Sequence, residues 1–256
     1  MKLSNLSEAF LLKLQFNLKS EASKNYLNYL WWLFEPALHV IVFYFVFGVL
    51  LRRGGEGFVV FLLCGQIPFL WFSRSISNAS NSILIGRGLI QQMAIPKPFF
   101  RLVVVAQDLV KQTVVFVCLL FFVLAMGYEV TVYWLVIPLL VVAQLLLISA
   151  CSLFVAAVTP FVPDFRFIIA TGMMMLMFAS GIFYDYQEVL LEEHKRFFLY
   201  NPMALLIDSY RDALIRQAWP DFSGIAWIII GSFAAVWAMF KFYRRYGAVY
   251  ARLVIQ

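Results

Sequence analysis

Charge is scarce in this chain. Acidic and basic residues make up 13% of its 256 positions, about half the share found in ordinary soluble domains. So few charged side chains do not clothe a water-soluble globule of this length. Histidine occurs twice, at His39 and His194, and cysteine three times. Cys64, Cys118 and Cys151 lie in apolar runs without CxxC spacing, which argues against a zinc or dithiol site and makes them packing residues. The chain has no GxxxxGK[ST] phosphate loop, no HExxH, no GxSxG and no acidic metal loop. It therefore carries no ATPase of its own and almost no side-chain chemistry for hydrolysis. The net charge of +6 sits at loop edges rather than in a basic recognition domain, so nucleic acid is not an expected partner.

Apolar residues, at 63%, and aromatics, at 18%, take the place of the missing charge. The fold class that follows is an all-α integral membrane protein, a single domain over residues 1–256. A helix rises about 1.5 Å per residue, so roughly 20 apolar residues cross the hydrocarbon core. Six windows qualify as transmembrane helices: residues 30–51, 58–75, 102–126, 131–158, 165–184 and 222–242. The second and fifth are short, with Gln66 and Pro68 inside the second and Gly172 and Gly181 flanking the Met-rich centre of the fifth. Ahead of the first window, Leu3, Phe10, Leu14 and Leu18 recur at helical spacing and predict an N-terminal interfacial amphipathic helix over 1–26. Leu12 and Phe16 fall on its polar side. This stretch has no clean apolar core before a small-residue cleavage site, so a signal peptide is not expected.

Charge asymmetry orients the windows. Arg74, Arg87, Lys97, Arg101 and Lys111 cluster after the second, and Lys241, Arg244, Arg245 and Arg252 lie at the C-terminal end, while acidic residues outnumber basic ones over 185–221. The positive-inside tendency places both termini and the 78–100 loop in the cytoplasm and 185–221 outside. Arg52 and Arg53, in the first external turn, run against it.

Three stretches stand out. In the first window Glu35, Pro36 and His39 lie where each ionisable group costs on the order of 3 kcal/mol. They either pair, with each other or with a neighbouring helix, or face a substrate. In 78–100, residues 86–93 read as a short helix whose Gly86, Arg87, Leu89, Ile90, Gln91 and Gln92 offer an apolar knob with amide edges to a cytoplasmic partner; a helix lying on the inner leaflet and anchored by Arg87 is the alternative. In 185–221, Asn201–Pro202 is a helix start, an N-cap oxygen followed by a residue that needs no amide partner. A helix from 202 to about 217 places Leu206, Tyr210, Ala213 and Leu214 on one face, with Asp208, Arg211, Asp212 and Arg216 elsewhere, spaced to pair at three or four residues. A second short helix covers 188–200. Two such helices, expected on the periplasmic side between spans five and six, fold back as a gate segment over whatever leaves between the spans; an ordinary external loop is the other reading.

The runs YLWWLFEPALH, FLLCGQIPF, GLIQQ with PKPF, and NPMALLIDSYRDAL together resemble the ABC-2 type permeases that export capsular polysaccharide in Gram-negative bacteria. The likeness extends over nearly the whole chain, and LFEPALH is its most specific part, favouring the capsule branch over O-antigen and teichoic acid exporters. It implies a homodimer in the inner membrane, a separate cytoplasmic ABC ATPase that holds the ATP and Mg, and no cofactor on this chain. It also implies a periplasmic co-polymerase, an outer-membrane export protein, a lipid-linked polysaccharide as cargo, and coupling to the ATPase through residues 86–92.

A sugar has apolar faces and polar edges, so aromatic walls let it stack and slide without fixed hydrogen bonds. Trp31, Trp32, Glu35, His39 and Phe43 lie three or four residues apart along one side of the first window or its margins, and Phe178, Tyr184 and Tyr186 supply an outer rim; these are the expected conduit residues. Trp31 and Trp32 stand equally well as an interfacial belt. Arg52 and Arg53 could hold the phosphate or carboxylate of a lipid-linked end, or lipid headgroups in general. Arg74 and Arg101 belong to a basic inner rim suited to an anionic head, although topology alone accounts for the same charges.

Overall fold

The computed structural model describes residues 3–24, 30–50, 57–85, 97–189 and 191–255, and every regular element among them is helical. The N-terminal helix α1 (Leu3–Lys24) is present as expected. Its Phe10 meets Phe99 edge-on at 5.8 Å, while Leu11, Leu12 and Phe16 remain exposed, so its apolar residues are divided between two sides. Helix α2 (Trp31–Phe43) continues as a π-helical stretch, Tyr44–Leu50.

Helix α3 (Phe58–Ile85) differs from expectation. Gln66 and Pro68 do not shorten it: it runs for 28 residues, about 42 Å. Proline inside a membrane helix removes the donor for the carbonyl one turn earlier, here that of Cys64, and packing from neighbouring helices holds the chain straight through it. Gln112 Nε2 donates to Ile67 O at 3.4 Å and Gln144 Nε2 to Pro68 O at 2.7 Å. The helix also passes through Asn78, so the polar entry expected of the 78–100 loop is its last two turns.

Helix α4 (Lys97–Ala125) and, after a short 3-10 segment at Val132–Val136, helix α5 (Ile137–Val158) pack on α3. Helix α6 (Phe165–Phe178) has 14 residues, about 21 Å, against a hydrocarbon core of about 30 Å. The window expected to reach 184 ends early because Gly181, with φ +68, turns the chain. Short helices α7 (Tyr186–Val189) and α8 (Glu192–Leu199) divide the single helix expected over 188–200. Next come α9 (Pro202–Arg211), which continues as a π-helical turn Asp212–Arg216, and the long α10 (Phe222–Ile255).

Among the described residues, four helical stretches are long and apolar enough to cross a membrane: Phe58–Ser80, Leu102–Ala125, Val132–Val158 and Phe222–Arg245. The other two expected windows hold shorter apolar helices, Ala37–Val46 and Phe165–Phe178. Burial separates the roles of the long ones. Two-thirds of the α3 window is buried against protein but only 11% of the α10 window, whose Trp227, Ile230, Phe233 and Trp237 stand exposed. Helix α3 is the core of the bundle, and α10 stands at its edge with an open apolar face.

Helix α9 is what most changes the picture of the external segment. Asn201 Oδ1 accepts from Met203 N at 3.0 Å and Pro202 sits in the first turn, so the helix starts where the sequence says. Leu206, Tyr210, Ala213 and Leu214 are buried against the core, and so are Met203, Ala204, Leu205, Ile207, Ser209 and Arg211, so α9 is enclosed on nearly all sides. The Tyr210 hydroxyl donates to Gln144 Oε1 at 3.1 Å, so the amide that serves Pro68 is itself held from α9.

Candidate functional site

Two features meet where α2, the end of α6 and the α7–α9 segment come together. The first is a file of aromatic rings. His39 and Phe43, one helical turn apart on α2, have ring centroids 6.5 Å apart. Phe43 reaches Phe183 at 4.5 Å, and Phe183 reaches Phe178 at 5.4 Å. The file continues outward: Tyr184 Oη donates to Phe178 O at 3.1 Å, and Phe198 lies 6.2 Å from Tyr184 and stacks on Tyr186 at 5.0 Å and 16°. Five expected residues, His39, Phe43, Phe178, Tyr184 and Tyr186, are thus brought together. Phe183 and Phe198 complete the file and were not singled out by the sequence. The run Gly181-Ile-Phe-Tyr carried the signal, since a left-handed glycine ends α6 and turns Phe183 inward; a side chain on Gly181 would meet Phe198 Cζ at 2.8 Å.

The second feature is an ion cluster. Arg216 Nη1 donates to Asp208 at 2.6 Å and to Asp212 at 2.8 Å, and its Nη2 donates to Asp185 at 2.8 Å. The Tyr186 hydroxyl joins by donating to the other Asp208 oxygen at 3.1 Å. One guanidinium therefore ties α9 and its π turn to the segment leading from α6 into α7. The shared cation explains an asymmetry in acidity. Burial lowers the affinity of Arg216 for its proton, but the bonds to Asp212 and Asp208 and the Asp185 charge outweigh that and hold it above the ordinary arginine range. Asp212 moves up: burial raises it, Asp208 and Asp185 add like charge, and Arg216 opposes them without reversing the sign. The guanidinium gains from three anions, whereas Asp212 gains from one cation and loses to two anions.

Arg211 departs from expectation. The spacing placed it off the apolar face as a pairing partner at three or four residues, yet it is 2% exposed and bonded to backbone carbonyls instead. The helix turns position 211 toward α3 and the 181–182 turn, and among the described residues no carboxylate lies within ion-pair distance of it.

Other expected residues are not brought to this site. Trp31, Trp32 and Glu35 lie on α2 and Arg101 on α4, and the described residues include their helices but not their side chains. Arg52, Arg53, Gly86, Arg87, Leu89, Ile90, Gln91 and Gln92 lie outside the described residues. Arg74 is half-buried on α3, and Cys64 is buried while Cys118 and Cys151 are half-buried, all three as free thiols. Asp108, in the first half of α4, accepts from Asn78 and pairs with Lys111 at 3.6 Å. A separate concavity of about 1140 Å³ lies between α5 and α10, walled by Phe154, Trp227, Ile228 and Met239 among others. It shares no residue with the aromatic file.

Comparison with known proteins bears on what such an arrangement does. Residues 8–215 match the ABC-2 type transporter family. The chain is 25% identical over 225 residues to the O-antigen export system permease protein RfbA of Myxococcus xanthus, covering 88% of this chain and 86% of that protein. It is also 25% identical to an RfbA permease of Klebsiella pneumoniae, over 78% and 77% of the two chains. To the polysialic acid transport protein KpsM of Escherichia coli it is 28% identical, over 77% and 78%. The family match covers most of the chain and includes α2, the aromatic file and the whole of α9. The chain is a polytopic membrane protein that belongs to the ABC-2 type transporter family.

Proposed function

We propose that this chain is the membrane subunit of an ATP-driven exporter that moves a lipid-linked polysaccharide across the bacterial inner membrane. The observation that carries this reading is the aromatic file from His39 to Tyr186 in a chain of this family. The exposed or half-buried rings of His39, Phe43, Phe178 and Tyr184, backed by the buried Phe183 and Tyr186, offer apolar faces with few fixed hydrogen-bond partners, which suits repeated weak stacking on passing sugar rings. In this reading Trp31, Trp32 and Glu35 also meet the glycan, Arg52 and Arg53 bind the anionic end of its lipid-linked carrier, and Arg74 and Arg101 attract its head group.

ATP and Mg belong to a separate cytoplasmic ABC ATPase, since this sequence has no phosphate loop. Residues 86–92 couple the two chains. Ile90→Asp combined with Gln91→Asp is expected to abolish co-purification of that ATPase while membrane insertion is unchanged; retained co-purification would move the coupling contact elsewhere. Six crossings per subunit, cytoplasmic termini, a homodimer, and periplasmic and outer-membrane partners complete the proposed assembly.

The run from Leu33 to His39 supports capsular polysaccharide as cargo, while the wider coverage of the Myxococcus xanthus RfbA supports O-antigen. Complementation separates them: the chain, supplied with its ATPase, is introduced into one strain lacking its capsule permease and another lacking its O-antigen permease. Surface polymer restored in the first alone supports capsule, and in the second alone O-antigen. Restoration in neither, with the chain inserted and the ATPase bound, would reject polysaccharide export.

A further inference from the structure

Arg211 is a cation buried in the core with carbonyl oxygens for company. Its Nη1 donates to Gly181 O at 2.7 Å, and its Nη2 donates to Ile182 O at 2.9 Å and to Phe61 O at 3.3 Å. The guanidinium carbon lies 3.4 Å from the centroid of the Phe61 ring. Arginine stays protonated in proteins, so the charge persists, and burying it without a paired anion is costly unless its position serves a purpose. The purpose is legible in what it touches. Three elements meet at this head group: α9, which carries it, α3 through Phe61, and the turn after α6 through Gly181 and Ile182. The next residue, Phe183, is the ring that joins Phe43 to Phe178. Space for the guanidinium is reserved on α3, where a side chain at Gly65 would come within 2.8 Å of Arg211 Nη2 and 3.4 Å of Ile182 Cα. Asn201 grips the same turn from the other end of α9, donating to Ala179 O at 3.3 Å and to Ser180 Oγ at 3.0 Å.

We propose that Arg211 is a positioning residue for translocation: seated against Gly65, it fixes the 181–182 turn and so holds Phe183 in the aromatic file. Its importance for export rests on the permease reading above, whereas its action on Phe183 does not. A planar fork with several donors is required, because one compact ammonium cannot reach three carbonyls on two elements and stack on a ring.

The test uses the full chain with its partner ATPase, purified in detergent, carrying Phe183→Cys. Labelling by a water-soluble maleimide is followed peptide by peptide by mass spectrometry, with Cys118 and Cys151 as internal references. Phe183 is 7% exposed, so its replacement thiol is expected to label slowly. Arg211→Met, Arg211→Lys and Gly65→Ala should each speed labelling at position 183 at least tenfold while labelling at Cys118 stays the same. If Arg211→Met does not accumulate, Gly65→Ala, which keeps the arginine but displaces its head, is read instead. In cells, Arg211→Lys in the chain with native Phe183 should lower export at least tenfold while ATPase binding is retained. Unchanged labelling at 183 in the variants that accumulate overturns the positioning role. Altered labelling at 183, with the unsubstituted chain and its active ATPase exporting no polysaccharide, leaves the positioning role standing and overturns the permease reading.

Discussion

Arg216→Ala is expected to loosen the segment between α6 and α10 more than any other single surface-side substitution. The change leaves Asp185, Asp208 and Asp212 facing one another without their shared cation. Removing one partner from a fully buried pair costs roughly 3–5 kcal/mol, and the 25% exposure of the Arg216 side chain lowers that to about 2–3 kcal/mol. Hydrogen exchange over residues 185–216 should rise by one to two orders of magnitude while α3 and α5 remain protected. Asp212→Asn in the same chain should recover part of the loss, because it removes one of the three like charges. Uniform exchange throughout the chain, or no change, would show that the cluster does not hold this segment.

Gln144→Leu should have the next largest effect. Gln144 is fully buried, and its amide works in two directions: Nε2 donates to Pro68 O and Oε1 accepts from Tyr210. Leucine fills a similar volume but strands the Tyr210 hydroxyl among apolar groups, and a buried unsatisfied hydroxyl costs about 1–3 kcal/mol. Tyr210→Phe leaves Gln144 Oε1 bare at a comparable cost. The two together should cost less than the sum of the singles, since each removes the partner the other strands. Thermal unfolding of the four proteins in detergent measures this. Strict additivity would mean that the two side chains do not depend on each other.

The sequence was most legible where a signal is local. Asn201-Pro202 announces its own helix, and the 3.6-residue spacing of Leu206, Tyr210, Ala213 and Leu214 names a face that the structure buries. The same spacing misassigned Arg211, because helical periodicity says which residues share a face but not what lies opposite it; the carbonyls of Gly181 and Ile182 are 30 and 29 residues away. Pro68 suggested an interruption of α3 for a similar reason. The helices packed on it, which bond its Ile67 and Pro68 carbonyls through Gln112 and Gln144, lie far off in the sequence. His39 and Phe43 were visible as a helical pair, whereas their connection to Phe178 depends on Phe183, which only the turn at Gly181 brings near. Asp185 and Arg216 each had visible charge but no local sign of the bond between them.

The account stands or falls on polymer crossing the inner membrane through this chain under ATP. The direct measurement is the amount of surface and intracellular polysaccharide in a permease-deletion strain supplied with this chain, alongside either an active partner ATPase or one unable to hydrolyse ATP. The account predicts polymer at the surface with the active pair, and polymer trapped inside both with the inactive ATPase and without the chain. Surface polymer that is the same in all three strains would contradict it.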